Sequence, residues 1–582
     1  MRGIVFAGLL LAGLARAAAP ETNEIQLQMH VAIPMRDGVK LNATLYRPAG
    51  SIKRAPVVFM LTAYPDDTSH PTGAYFAAHG MNYLYVDVRG RGDSEGNFVP
   101  FERDANDGHD VVEWLARQPW SDGHVAMFGG SYAGGDQWQV AGTHPPHLSA
   151  IAPVASVRLG IDFPMAHNVS YPYTIQWLSY TTGRPLYGAL FQTQVWDDLN
   201  KRMYRQGLPF SRLDVEAGNP NAEFHKWIAH PDYDAYWKGL SPTKDVVAKL
   251  NLPMLVITGA RDGDQLGTLS FYEDHLTPSG PPKNYFLVMG PWDHPGTREP
   301  KPDIGDEHFG PASVIDVRRL HLEWYRHVML NGPKPAFFQN NVAYYVSGPG
   351  AECWKYADSL AAATKRTQTL FLNAAGGADN LYSSGKLQDA VKGAVGAQWI
   401  SDPTDLRNGG PSNVPPGDDI HGDGLVFHTA PFAQDTELDG KMSLKLSLTI
   451  DGPDADIGAS LFLITPDGKA HALDQTIVRA RYRHSLEKAE LVKPGVVDLY
   501  AIPGTQWFAV RAPKGSRLRL IVGSVNDPGS QKNWNSAKPV SDQSRADAHK
   551  EAIRLVQDAA HPSTIAIPYG DVNGPCRNSA TW

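Results

Sequence analysis

Two cysteines, Cys353 and Cys576, are the only thiols in 582 residues. So few cannot form a disulfide scaffold, and neither sits in a glycine-rich turn that would present a thiolate nucleophile. No cysteine–histidine spacing of a metal-binding kind occurs. The acidic stretch "DGPDADIG" around Asp454 and Asp456 lacks the full calcium-loop pattern and reads as a polar turn between strands. Basic clusters are missing too: the formal net charge is −8, and 20% of residues are charged. Nucleic-acid binding relies on Lys and Arg gathered against phosphates, so that partner is excluded. Beyond the first twenty residues no apolar run approaches the roughly twenty residues a membrane span requires.

Those first residues have their own pattern. Arg2 precedes an apolar run from Ile4 to Leu14, and "ARAAAP" supplies small residues for cleavage. The layout predicts a secretory signal over residues 1–19 and a periplasmic or secreted mature protein.

At a prior of about 100–200 residues per domain, this length implies two to four domains. From residue 20 to 157, short β-rich apolar runs ("PVVFML", "NYLYVDV", "HVAMFG", "SAIAPV") alternate with helical patterns near 71–79, 102–117 and 132–143. Runs of that length and type read as strands buried on both faces, and the alternation predicts a mostly parallel sheet flanked by helices. Residues 158–248 lose the strand signal and turn aromatic and helical, as an inserted cap would. The buried-strand pattern returns over 249–348 in "LPMLVITG" and "NYFLVMG", followed by a helix near 313–329. From 349 to 582, short strands such as "QTLFLN", "MSLKLSLTI" and "SRLRLIVGSV" are separated by Gly, Pro, Asp and Asn turns, the pattern of an all-β sandwich. The expected fold class is therefore α/β with an inserted helical cap, followed by a β-sandwich.

The stretch "HVAMFGGSYAGGDQWQVAG", residues 124–142, carries the chemistry. A sharp strand-to-helix turn holds a serine hydroxyl above the sheet, where open α/β sheets bind ligands. Gly129, Ala133 and Gly134 are the small residues that let the helix return close to its strand. Ser131 is the candidate nucleophile, and the backbone N–H of Tyr132 is a candidate oxyanion donor. The competing reading is a glycine-rich joint whose serine is incidental. A serine nucleophile needs a base and an orienting carboxylate, in the chain order Ser, Asp, His for an α/β-hydrolase. "LVITGARDGDQLG" places Asp262 just past one buried strand, and "YFLVMGPWDHPG" places His294 just past the next. Asp264 and Asp293 compete with Asp262 for the carboxylate role.

Several segments resemble the CocE/NonD hydrolases of the X-Pro dipeptidyl-peptidase (S15) group, which includes esterases, α-amino acid ester hydrolases and acylases. They are "DVRGRGDSEG" (87–96), "GGSYAGGDQWQ" (129–139), "THPPHLSAIAP" (143–153), "HPDYDAYW" (230–237), "GARDGDQLG" (259–267), "GPWDHPG" (290–296) and "QKNWN" (531–535). The resemblance implies an α/β-hydrolase domain, a helical cap and a C-terminal jelly-roll; on the residues themselves no metal or cofactor is expected. It also implies that the Tyr64 hydroxyl, in "VVFMLTAYPDD", shares the oxyanion with the Tyr132 amide; the alternative is a tyrosine that packs the cap on the sheet. "RGRGDSEG" is expected to brace its loop rather than to catalyse.

The function expected is an exported serine hydrolase cleaving esters or amides of small acyl compounds, or short peptides, through an acyl-Ser131 intermediate. Alternatives are an α-amino acid ester hydrolase or aminoacyl transferase, a dipeptidyl-peptidase, and a binding protein with an inactive hydrolase domain. Asp264 and Trp177 are candidate substrate-binding residues. Gln265 stands where the amino-acid ester hydrolases carry another acid, and the segment from Asp162 to Tyr173 lacks their paired aspartates, which argues against a strict α-amino preference. Cap aromatics Tyr171, Tyr173 and Trp177 line an acyl pocket or form cap core. A homodimer is compatible with the sequence, which sets neither the oligomeric state nor whether Cys353 and Cys576 pair.

Overall fold

The computed structural model describes residues 24–582 except 51–53, 67–68, 192–193, 277–281, 392–394, 406–422 and 581. The expected signal segment lies outside the described residues. Ten strands form the principal sheet: β1 (Ile25–Pro34), β2 (Lys40–Pro48), β3 (Ala55–Thr62), β4 (Asn82–Asp87), β5 (Ser121–Ser131), β6 (Leu148–Ser156), β7 (Met254–Arg261), β8 (Tyr285–Asp293), β9 (Val342–Val346) and β10 (Cys353–Ala357). Their spatial order is β1-β2-β4-β3-β5-β6-β7-β8-β9-β10. Strands β3 to β9 run parallel to their neighbours within that group, while β1, β2 and β10 pair antiparallel at the two edges. Every residue of β4 is buried, as expected of a strand with helices over both faces.

Helices α1 (His70–Ala78), α2 (Asp104–Ala116) and α3 (Tyr132–Gly142) follow β3, β4 and β5. The cap lies between β6 and β7 and includes α4 (Tyr173–Tyr180), α5 (Gln194–Gln206), α6 (Ala222–Ile228) and α7 (Ala235–Leu240). In α5 the buried Trp196, Leu199 and Met203 recur at helical spacing, and this stripe packs the cap. The helical stretch at 222–240 is broken: Pro231 stands in the break, and the Asp234 carboxylate accepts the Tyr236 N–H at 2.9 Å to start α7. The cap also has a two-residue strand pair, Met165–Ala166 with Val169–Ser170, that the sequence pattern does not announce. Helices α8 (Gln265–His275) and α9 (Val317–Leu330) complete the layers.

The C-terminal region is all-β, with one eleven-stranded sheet and a separate two-stranded ribbon. Side chains such as Leu372, Phe427, Leu446, Ile457 and Leu520 form its own core.

The boundary expected at 348/349 falls between two paired strands: Cys353–Ala357 runs antiparallel to Val342–Val346 as the last strand of the ten-stranded sheet, and Cys353 is disulfide-bonded to Cys576. A five-residue strand gives no pattern that separates it from the β-strands that follow. "DGPDADIG" spans the turn between the strands Ser443–Ile450 and Asp456–Ile464, as read, but two of its acids do not face solvent. Asp454 and Asp456 are buried and ion-paired with Arg481 and Arg479 at 2.8 and 2.9 Å, and Asn533 of "QKNWN" donates to both carboxylates. Arg479 also donates to the Asn168 carbonyl, fastening the cap to the jelly-roll.

Candidate active site

The turn after β5 is built as the sequence implies. Ser131 has φ 64° and ψ −122°, a sparsely populated conformation that costs on the order of 1–3 kcal/mol and is held by its surroundings. A Cβ on Gly134 would lie 2.6 Å from the Val154 carbonyl, so only glycine lets α3 come this close to β6. As the first residue of α3, Tyr132 has an N–H without an acceptor inside the helix. Its side chain is fixed: the hydroxyl donates to the Asp104 carboxylate and accepts the Phe101 N–H at 3.1 Å.

Asp262 and His294 meet at the ends of β7 and β8. The imidazole Nδ1 lies 2.9 Å from Asp262 Oδ1. That oxygen also accepts the Asp264 N–H at 3.1 Å, and Oδ2 accepts the Thr258 hydroxyl at 2.9 Å. Burial would raise the Asp262 carboxyl, but the hydrogen bond and charge of His294, with the other donors, hold it below its usual range. With Asp262 ionised, Nδ1 keeps its proton and Nε2 is the basic nitrogen. Asp293 is engaged elsewhere, accepting the Gly296 N–H.

Asp264 Oδ2 lies 3.4 Å from the same Nδ1. Burial, with Asp262 adding to it, pushes the Asp264 carboxyl up to about 6. Burial lowers the imidazole, but the two carboxylates outweigh it and leave His294 above its ordinary value. A raised imidazole stays protonated to higher pH, so kcat/KM falls on the acid side at a pH above 6.5. Asp264→Asn removes the largest raising influence and moves that limb to lower pH, measurable in a kcat/KM profile. A limb left in place would take Asp264 out of the site's electrostatics. The ligand atoms of Asp262, Asp264 and His294 all lie within 4.8 Å, a spacing that could hold an ion. Nδ1 and both Asp262 oxygens already have the hydrogen bonds just described.

Ser131 and His294 line one cavity of about 440 Å³ together with Tyr64, Tyr132, Trp177, Asp162 and Asp264. Its remaining walls include Phe101, Phe163, Tyr173 and Phe191. Trp177, a candidate for binding substrate, has a second part: its indole N–H donates to the Tyr64 hydroxyl oxygen at 3.0 Å. The side chains of Tyr180 and Ser131 also lie within hydrogen-bonding reach of that hydroxyl. Burial pushes the Tyr64 phenol up, so the proton is retained across the working range. Tyr64→Phe is expected to lower kcat by about 10²–10³ with little change in KM. A loss below threefold in steady-state assays would return Tyr64 to packing.

Two residues behave differently from the sequence reading. Gln265 is fully buried and holds the Trp507 main chain of the jelly-roll at both its N–H (2.6 Å) and its carbonyl (3.1 Å). It therefore fixes the loop carrying Asp262 to the second domain. Asp162 was not singled out, yet it lines the cavity. Its carboxylate accepts the Arg158 and Gly267 N–H groups at 2.6 and 2.9 Å. Burial, with Asp264 adding, pushes this carboxyl well up. No contiguous motif could have found it, because its contact with Gly267 spans 105 positions. Arg91 braces as expected, donating to the carbonyls of Ala63, Thr181 and Gly183 and so tying the Tyr64 loop to the cap.

A serine at a strand–helix elbow, with aspartate and histidine at the ends of later parallel strands, defines a serine hydrolase of the α/β class. The chain belongs to the S15, CocE/NonD group. Residues 37–296 match the X-Pro dipeptidyl-peptidase (S15 family), and residues 338–566 match the X-Pro dipeptidyl-peptidase C-terminal non-catalytic domain. Cocaine esterase of Rhodococcus sp. (strain MB1 Bresler) is 28% identical over 93% of this chain and 98% of that protein. Two solved structures share the fold at 22% identity. An aminopeptidase from the marine sediment archaeon Thaumarchaeota archaeon has a TM-score of 0.79, covering 94% of this chain and 96% of its own. An α-amino acid ester hydrolase has a TM-score of 0.77, covering 96% and 99%.

Proposed function

We propose that the protein hydrolyses esters of small, apolar acids through a covalent acyl-Ser131 intermediate. The observation that carries this reading is the single aromatic-walled cavity onto which Ser131, His294 and Tyr64 all open. Ser131 Oγ adds to the ester carbonyl as His294 Nε2 takes its proton, and Asp262 stabilises the resulting imidazolium. The Tyr64 hydroxyl and the Tyr132 N–H donate to the oxyanion. The imidazolium then returns the proton to the departing alcohol. Water repeats the sequence on the acyl-enzyme, releasing the acid and restoring Ser131.

A second reading, aminoacyl esters or amino-terminal peptides, is favoured by one observation. Asp162 and Asp264 both face the cavity, and a substrate ammonium would supply a positive charge for them. A kcat/KM panel of p-nitrophenyl acetate and benzoate, amino acid esters, β-lactam amides and Xaa-Pro anilides separates the two. Neutral esters turn over at least as well as ammonium-bearing ones under the first reading. A preference of tenfold or more for the ammonium, lost in Asp162→Asn, establishes the second.

Export belongs to the same proposal. The signal-like start and the disulfide between Cys353 and Cys576 suit an oxidising compartment. Fractionation with N-terminal sequencing tests it: an uncleaved cytoplasmic chain would reject export.

A further inference from the structure

The catalytic cavity has a neighbour behind the elbow. A second cavity of about 250 Å³ lies where the first turns of α1 and α9 approach the sheet. Its wall includes Gly130 of the elbow, Arg298 of the loop that carries His294, Arg318 and His321 of α9, and Ser69 and Thr72 at the start of α1. Two buried polar atoms here have no hydrogen-bond partner among the described residues: Arg298 Nη1 and His321 Nε2. The first is a charged donor. The second is an acceptor, because His321 Nδ1 lies 2.7 Å from the Val317 carbonyl and must carry the ring's proton to donate there. Burial lowers the ring to about 4, which keeps it neutral.

Other features add positive potential. Arg318 lies over the Tyr75 ring, 5.8 Å from its centroid. Ser69 occupies the N-cap of α1 without a side-chain cap bond, so its hydroxyl is not used by the helix. Helix N-termini contribute positive potential. Among the described residues Glu299, exposed, is the one acid in the wall, while Asp316 caps α9 by accepting the Arg319 N–H.

We propose that this cavity binds a small oxyanion that also carries an O–H, with hydrogen phosphate as the simplest member of the class. An anionic oxygen would accept from Arg298 Nη1, and the O–H would donate to His321 Nε2. The two demands are complementary, and a ligand satisfying both removes two buried unmade hydrogen bonds. The ligand would rest against the residue before Ser131 and four residues after His294, so its occupancy bears directly on the elbow.

The test is isothermal titration calorimetry of the mature chain in chloride buffer, with inorganic phosphate, sulfate and acetate as probes. Saturable phosphate binding that weakens about tenfold or more in Arg298→Gln is expected, since charge-assisted bonds are roughly twice as strong as neutral ones. Arg318→Gln, further from the elbow, must weaken it as well, and circular dichroism checks that both variants fold. Sulfate, which has no O–H at neutral pH, and acetate are expected to bind more weakly than phosphate. The proposal is overturned if phosphate shows no saturable heat, if both folded variants bind it like the parent, or if sulfate or acetate binds as tightly.

Discussion

Ser131→Ala yields a folded protein whose kcat on p-nitrophenyl acetate is lower by about 10⁶-fold. The fold survives because the elbow is held by its backbone. β5 pairs with β6 as far as Ser131 and Ser156, with a shift of register between Gly130 and Ser131, and close packing at Gly134 fixes the start of α3. Alanine meets the same backbone strain at φ 64° as serine does, so the melting temperature moves little. The chemistry, by contrast, loses the nucleophile of the proposed acyl-enzyme route. The proposed oxyanion donors remain, so a residual rate of about 10³–10⁴ over water is expected from them and from binding. A fluorophosphonate probe labels the parent and not the variant. Activity within tenfold of the parent would move the nucleophile away from Ser131.

Much of this site is legible along the chain because its constraints are local. An elbow needs small residues two before and two or three after the serine, and Gly129, Ala133 and Gly134 stand there. Asp262 and His294 announce themselves by following buried apolar runs, whose ends necessarily fall on one edge of a parallel sheet. What escapes is every role defined by a distant partner. Asp162 reaches the cavity because Gly267 leaves it room: a Cβ there would sit 2.1 Å from the carboxylate. Gln265 occupies an acid's place in the family pattern, but its partner is a main chain 242 residues away. Trp177 reads as pocket lining until its N–H is seen on Tyr64. Asp454 and Asp456 read as part of a polar turn amid glycine and proline, yet their arginines lie 27 and 23 positions on, and the asparagine joining them lies 79 and 77. Charge in a turn-like stretch predicts solvent only when no complementary charge folds over it.

Asp262→Ala is expected to lower kcat by about 10⁴-fold. Its size depends on which carboxylate orients the imidazole, because two compete for Nδ1. Asp262 is nearer, 2.9 Å against 3.4 Å, and its donors from Asp264 N–H and Thr258 hold it rigid. Asp264, pushed up to about 6, is the weaker anion of the two and opens on the cavity. After Asp262→Ala, Asp264 is the carboxylate left beside Nδ1 and sustains part of the residual rate. That gives the variant a distinctive pH response. Its residual activity rises as Asp264 ionises, and a second change, Asp264→Asn, lowers it further and removes that rise. In the parent background Asp264→Asn costs far less, because Asp262 still fixes the tautomer. The two changes are therefore non-additive, as expected of groups sharing one partner. If Asp264→Asn proves the more damaging single change, the orienting role passes to Asp264 and Asp262 becomes a brace for its loop.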